Sequence, residues 1–293
     1  MASRITDGVT INSFDPTAVA TVGVPSDLAS LCARRNGIAD KRVSGTFTVG
    51  ATCGPGSGPF TIYPISPGTL CGEKYDPYEI TTGPDGALWF TAQGGVGRIS
   101  TSGAVSLYPA PTGGSSSIVA GPDGALWIAG MTVSGGSAEI CRMTTSGVVT
   151  NCYGVSALFE YPGQITAGPD GALWFAGAGG GAVGRITTSG AVSYYGSRSL
   201  ITTGITTGPD GNLWFTALGS GGVIGHITTA GAITTYPVPL VSSTITPGPD
   251  GSLWFLAGPS GDTVDRITTS GVVTTVVVDP AISTWTLTAG PDG

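Results

Sequence analysis

The sequence is short of charge. Asp, Glu, Lys and Arg make up 10% of its 293 residues, against roughly 25% in an ordinary soluble domain. Lysine is missing from residues 76–293, which carry five Arg against thirteen acids for a net charge of −8, while residues 1–75 carry a net +1. A lysine-free acidic body gains no affinity by neutralising phosphates, so nucleic acid is not an expected partner. No run approaches the ~20 apolar residues of a membrane span, so no membrane insertion is expected. Met1 to Gly8 lack a basic region followed by an apolar one, and no secretion signal is read there. Five cysteines are too few and too scattered for a disulfide-framework protein. Histidine occurs once, at His226. No Gly-rich segment opens a helix after a strand, which removes the usual phosphate cradle, and no cofactor is expected.

What the chain has is glycine, 50 residues of it, in a repeat. Gly-Pro-Asp-Gly occurs at 83–86, 121–124, 168–171, 208–211, 248–251 and 290–293, at spacings of 38, 47, 40, 40 and 42. The first five copies lead into Leu-Trp-(Phe/Ile), giving Trp89, Trp127, Trp174, Trp214 and Trp254. A second block follows, as in Gly97-Arg98-Ile99-Ser100-Thr101-Ser102-Gly103. A period near 40 with several short strands per unit predicts an all-β fold, a β-propeller of four-stranded antiparallel blades. Five complete blades are expected, at about 78–112, 118–155, 164–198, 204–239 and 244–279, with six or seven in the whole protein. Pro and Gly make Gly-Pro-Asp-Gly a turn between strands a and b. The continuous apolar run from Ala87 to Ala92 suits a strand covered on both faces by neighbouring blades.

The a–b and c–d turns barely vary between repeats, whereas the b–c and d–a connections do. One end of the disc is therefore uniform and the other diversified, and a partner-binding face is expected at the diversified end. Its candidate residues are Gln93, Met131, Phe159, Glu160 and Leu218.

Residues 1–42 lack the repeat and hold most of the basic charge, so they are read as an attachment segment ahead of a propeller spanning 43–293, incomplete at its C-terminal end. A short helix is expected over 26–36: Ser26 as N-cap, Leu28 and Leu31 on one face, Arg34 and Arg35 in the last turn, Gly37 as C-cap. Residues 43–65 are expected to supply outer strands to a blade whose inner strands include 285–289, closing the ring.

The repeat Ile-Thr-x-Gly-Pro-Asp-Gly-x-Leu-Trp-Phe-Thr, then Gly-Arg-Ile-Thr-Thr-x-Gly, resembles the streptogramin B lyase (virginiamycin B lyase) family over roughly residues 78–293. The resemblance implies seven blades and a metal-assisted elimination that opens a lactone antibiotic. It also implies a catalytic His in Pro-His-Gly-Ile before the turn, and often a Glu after Trp-Phe-Thr. Here the first segments read Pro77-Tyr78-Glu79-Ile80, Ser115-Ser116-Ser117-Ile118, Pro162-Gly163-Gln164-Ile165, Thr203-Gly204-Ile205, Ser242-Ser243-Thr244-Ile245 and Ser283-Thr284-Trp285-Thr286, none with His, and the second positions hold Ala92, Gly130, Gly177, Ala217 and Ala257. No catalytic residue and no metal site is therefore expected. Lyase-like propellers of this kind also occur in phage tail proteins. The expected role is accordingly non-enzymatic: a propeller displayed on a larger assembly, a phage virion, whose partners are other subunits and a host surface molecule. The alternatives are a lyase-type enzyme or a free-standing binding propeller, and the alternative location to the virion is the cytoplasm.

The remaining signals have structural readings. The repeated turn Asp bonds its own backbone, the Trp series packs between blades, and His226 is a substituted strand position. The outer strands, such as Val272 to Val278, are β-branched and uncharged, which suits a rim packed beside other subunits. One blade gains a cysteine on strand c and another on strand d. Aligned by counting, Cys141 stands where other blades have Gly97, Gly184, Gly225 and Asp265, and Cys152 where they have Tyr108, Tyr195, Tyr236 and Val277. Simple register pairs 141 with 150 and 152 with 139, making the cysteines diagonal neighbours ~7 Å apart. A disulfide between them then needs a bulge or strong twist.

Overall fold

The computed structural model describes residues 30–35, 38–44, 48–49, 60–61, 287–288 and 77–278, the last apart from connections at 93–94, 133–136, 156–160, 179–182, 197–199, 219–220, 240 and 259–262. Every regular element among them is a strand. The first pair, β1 (Ser30–Arg35) and β2 (Ile38–Ser44), is an antiparallel hairpin in which Arg35 pairs with Ile38. This corrects the helix expected over 26–36. Leu31, Arg34 and Arg35 sit on β1, and Leu28 lies outside the described residues. The spacing of Leu28, Leu31 and Cys32 fits a helix, but Asn36-Gly37 is a strong two-residue hairpin signal, and the hairpin won. β2 runs through residue 42, where the attachment segment was expected to end.

Two further strands, β3 (Thr48–Val49) and β4 (Phe60–Thr61), pair antiparallel. Then come five four-stranded sheets, each a meander from an inner strand a to an outer strand d. Blade 1 holds β5 (Pro77–Thr82), β6 (Leu88–Ala92), β7 (Gly95–Ile99) and β8 (Val105–Pro109). Blade 2 holds β9 (Gly114–Ala120), β10 (Leu126–Met131), β11 (Ala138–Met143) and β12 (Val149–Gly154). Blade 3 holds β13 (Tyr161–Ala167), β14 (Leu173–Ala178), β15 (Val183–Ile186) and β16 (Val192–Tyr195). Blade 4 holds β17 (Ile201–Thr207), β18 (Leu213–Leu218), β19 (Gly222–Ile227) and β20 (Ile233–Val238). Blade 5 holds β21 (Val241–Pro247), β22 (Leu253–Ala257), β23 (Thr263–Ile267) and β24 (Val273–Val278).

The core lies between blades. Alternation gives each sheet two unlike faces, and at every described junction the Trp face of one blade meets the opposite face of the next, which carries Phe in blades 3, 4 and 5 and Ile128 in blade 2. Trp89 and Val96 pack on Ile118, Leu126, Ile128 and Met143. Trp127 and Ile140 pack on Ile165, Leu173, Phe175 and Ile186. Trp174 and Val183 pack on Ile205, Leu213, Phe215 and Ile227, and Trp214 and Ile224 on Ile245, Leu253, Phe255 and Ile267. Full burial of each such side chain contributes roughly 1.5–3 kcal/mol, so the junctions, rather than the single sheets, hold the stability.

Glycine is placed by this packing. In blades 1, 3 and 4 a Cβ on Gly97, Gly184 or Gly225 would fall inside the ring of Phe90, Phe175 or Phe215 on the neighbouring strand b. Blade 2 reaches the same end differently: Ile128 replaces the Phe, and the space it vacates holds Cys141.

The inner strands surround a central cavity of about 200 Å³. Ile80, Ile118, Ile165, Ile205 and Ile245, one from each blade, line it together with Leu287. Leu287 is thus the counterpart of those isoleucines from a sixth repeat. The rest of the expected closure by 43–65 and 285–289 lies largely outside the described residues.

Candidate functional site

At the uniform end each turn carboxylate is the centre of a lock. Asp85, Asp123, Asp170, Asp210 and Asp250 each accept through Oδ1 the indole N–H of the Trp four residues on, at 2.9–3.1 Å. The same oxygen caps a backbone amide two residues on. Oδ2 takes Arg98 at 2.7 Å, Arg142 and Arg185 at 2.6 Å, and Arg266 at 3.0 Å. Blade 4 puts His226 in the arginine position, with Nε2 3.2 Å from Asp210 and the ring edge-on to Trp214. Partial burial pulls Asp85, Asp123 and Asp170 upward, but the Trp, Arg and amide donors outweigh it and hold all three below the usual carboxylate range. Asp210 is also held low against burial, by Asn212, Trp214 and His226. Both oxygens of each of these aspartates are engaged by the scaffold.

Around the cavity a second device joins the blades. The Ile118 amide donates to Glu79 Oε2 at 2.9 Å, the Ile165 amide to Ser117 Oγ at 3.0 Å, and the Ile205 amide to Gln164 Oε1 at 3.4 Å. In each case the side chain just before the inner-strand Ile caps the amide of the next blade's Ile. Glu79, which breaks the sequence repeat, performs the repeat's own function. Burial raises its carboxyl, offset in part by Ser117 and the Ile118 amide.

Cys141 and Cys152 are disulfide-bonded and stand directly opposite each other. This corrects the diagonal register. Arg142 pairs with Asn151 and Met143 with Val149, so Thr150 is an extra residue in β12. The bulge shifts everything beyond it by one place. Tyr153, not Cys152, therefore takes the position of Tyr108, Tyr195 and Tyr236, and stacks on Trp127 with ring centroids 5.9 Å apart, as Tyr108 does on Trp89 at 5.3 Å. Glu139 lies close enough to make, with the two sulfurs, a cluster of ligand atoms within 4.8 Å. Bonded sulfurs carry no thiolate, so the cluster is no metal site in this state. Non-reducing peptide mapping should recover the two cysteines linked. Cys152→Ser should cost roughly 2–3 kcal/mol in urea unfolding; an unchanged midpoint, or free thiols only, would exclude a stabilising bond.

Of the candidate partner-face residues, Met131 ends β10 half-buried and Leu218 ends β18 exposed, both at the diversified end. Gln93, Phe159 and Glu160 lie outside the described residues, and no common site is assembled from the set.

A family profile described as "Virginiamycin B lyase family" matches residues 57–199 and 196–293. The chain belongs to the virginiamycin B lyase family. Virginiamycin B lyase from Staphylococcus aureus shares 29% identity and a TM-score of 0.65 over 73% of this chain and 74% of its own. A catalytically inactive histidine-to-alanine variant of that enzyme with quinupristin shares 31% identity, with a TM-score of 0.66 over 76% and 77%. A Bacteroides caccae protein of unknown function, at 15% identity and a TM-score of 0.56, shares the fold alone. No curated protein matches the sequence.

The five described blades differ from the family's motifs at the positions compared in the sequence. The positions that correspond to the family's histidine hold Tyr78, Ser116, Gly163, Thr203 and Ser243. Where the family places Glu, Ala92, Ala217 and Ala257 are buried and, with Gly130 and Gly177, offer no side-chain oxygen to a metal. The one histidine is tied to Asp210 in the turn lock.

Proposed function

We propose that this chain is a non-catalytic member of the virginiamycin B lyase family, a structural propeller that works by contact with other subunits of a larger assembly, with a phage virion as the setting. The observation that carries the reading is the replacement, in the five described blades, of the family's base and metal-binding positions by residues with neither function, while the turns, Trp strands and blade junctions are retained. Elimination needs a positioned base, and metal assistance needs carboxylate or imidazole donors. The rim supports the assembly half of the reading. Outer strands carry exposed Leu107, Val149, Tyr194, Val273 and Val276 and no charged side chain, with exposed Val148 and Val272 just ahead of two of them. Such edges are the kind that natural sheets guard or cover. The disulfide is in keeping with oxidising surroundings.

The test has two arms. Purified chain with a streptogramin B and Mg²⁺ should open the lactone no faster than buffer, and enzymatic turnover would overturn the non-catalytic reading. Sedimentation of the protein from its native source should place it in particles far larger than 29.0 kDa, and recovery as a monomer would count against assembly.

A further inference from the structure

We infer that reduction of the Cys141–Cys152 bridge uncovers a binding site for a thiophilic divalent cation of the zinc class, with Glu139 as its third protein ligand. The inference does not depend on the assembly reading. It concerns blade 2 alone and rests on three departures from the repeat that meet in one patch.

Cys141 on β11 stands directly opposite Cys152 on β12. The equivalent cross-strand pairs are Gly97 with Leu107, Gly184 with Tyr194, Gly225 with Thr235 and Asp265 with Thr275. Glu139 lies two residues before Cys141 on the same strand, so alternation puts both side chains on one face. The other blades have Gly95, Ala182, Val223 and Thr263 there. The acid thus occurs only in the blade that gained the cysteines, and a disulfide has no use for it. Glu139 is half-buried, and burial raises its carboxyl. No hydrogen bond or ion pair to that carboxyl forms among the described residues. One of its oxygens and the two sulfurs lie within 4.8 Å of one another. A carboxylate that is an orphan beside a disulfide is the natural third donor beside two thiolates.

The donor set selects the ion. Two thiolates favour a zinc-class cation over the hard cations that carboxylates alone would take, and a third ligand with a water completes a tetrahedron. Thiolates sharing such an ion stand about 3.8 Å apart, from bonds of ~2.3 Å at the tetrahedral angle. Directly opposed strand residues reach that separation by side-chain rotation.

Access is from one side. Cys141 is fully buried, with the Pro111 carbonyl oxygen 3.8 Å from its sulfur, whereas Cys152 is exposed. A dithiol reductant therefore enters at Cys152. Its first thiolate attacks the Cys152 sulfur and expels Cys141 as a thiolate; its second then displaces Cys152 and closes the reductant's own disulfide. The bridge has gained two electrons and the reductant has lost them. Cation binding to the two thiols then releases their protons. Strands c and d of blade 2 are in this way stapled by a bond in oxidising surroundings and by an ion in reducing ones.

The test uses the full chain with Cys32, Cys53 and Cys71 replaced by Ser, so that only this pair of thiols remains. After reduction by a phosphine and anaerobic desalting, Co²⁺ is titrated in as a coloured probe and Zn²⁺ as its competitor. One equivalent of Co²⁺ should bind with thiolate-to-cobalt charge transfer and tetrahedral visible bands, and Zn²⁺ should bleach both. The oxidised chain and Cys152→Ser should show neither, and Glu139→Gln should weaken Co²⁺ binding by about tenfold or more. No uptake by the reduced chain, equal uptake by the oxidised one, or a Glu139→Gln variant that binds as tightly as its parent would overturn the site. Should the triple replacement fail to fold, the reduced natural chain and its Cys152→Ser variant must differ by one equivalent of tetrahedral Co²⁺. Equal uptake by those two refutes the inference.

Discussion

Trp174→Ala should cost the propeller about 3–5 kcal/mol, read as a fall in the urea midpoint by far-ultraviolet circular dichroism. Trp174 is fully buried and packs against Ile205, Leu213 and Phe215 of the next blade. Its N–H also holds Asp170, which in turn holds Arg185. Truncation therefore empties a junction and strips a donor from a carboxylate that needs it. Trp174→Phe separates the two effects: it refills part of the space, and the remaining loss of roughly 1–3 kcal/mol reports the broken lock. A Phe variant as stable as wild type would mean that the indole bond contributes nothing.

The second large effect concerns glycine. Gly184→Cys should destabilise by about 1–3 kcal/mol, because its side chain must displace the ring of Phe175. Adding Phe175→Ile should recover most of that loss, since Ile and Cys are the combination blade 2 uses at Ile128 and Cys141. The two changes should thus be coupled by about 1 kcal/mol or more in a double-mutant cycle. Strict additivity would show that the Gly–Phe pairing in blades 1, 3 and 4 has no packing basis.

Much of this architecture was legible in the residues. Gly-Pro-Asp-Gly and the Trp strand recur with their chemistry intact, and local turn geometry plus apolar runs are enough to place four strands per repeat. The lock was half legible. Asp was read as bonding its own backbone, yet Trp and Arg recur with it in four blades, and His226 replaces the arginine in the fifth. That joint recurrence was the signal for a three-residue unit. Glu79 was hidden because its partner is the backbone of another repeat, which carries no sequence mark. The bulge at Thr150 was hidden for another reason: counting residues from the turn cannot reveal an inserted one, so Cys152 was set in the position that Tyr153 holds. At the N-terminal end, Asn36-Gly37 and the leucine spacing argued for different structures, and nothing in the segment itself arbitrated between them.

The amide caps around the axis have a consequence for how such a chain changes over evolutionary time. Glu79, Ser117 and Gln164 each cap the following blade, never the preceding one. The ring thus has a direction: blades 1, 2 and 3 each carry an acceptor for the successor's amide, while blade 4, with Gly204 at that position, has no such side chain. A duplicate of blade 1, 2 or 3 brings both halves with it and fits between any two neighbours; a deleted one leaves the flanking pair already compatible. Heterologous contacts of this kind form a ring only when their rotations sum to a full turn. Repeat number is therefore limited by curvature and not by recognition, while the capping position itself drifts from Glu to Ser to Gln, and in blade 4 to Gly204, which carries no side-chain oxygen at all.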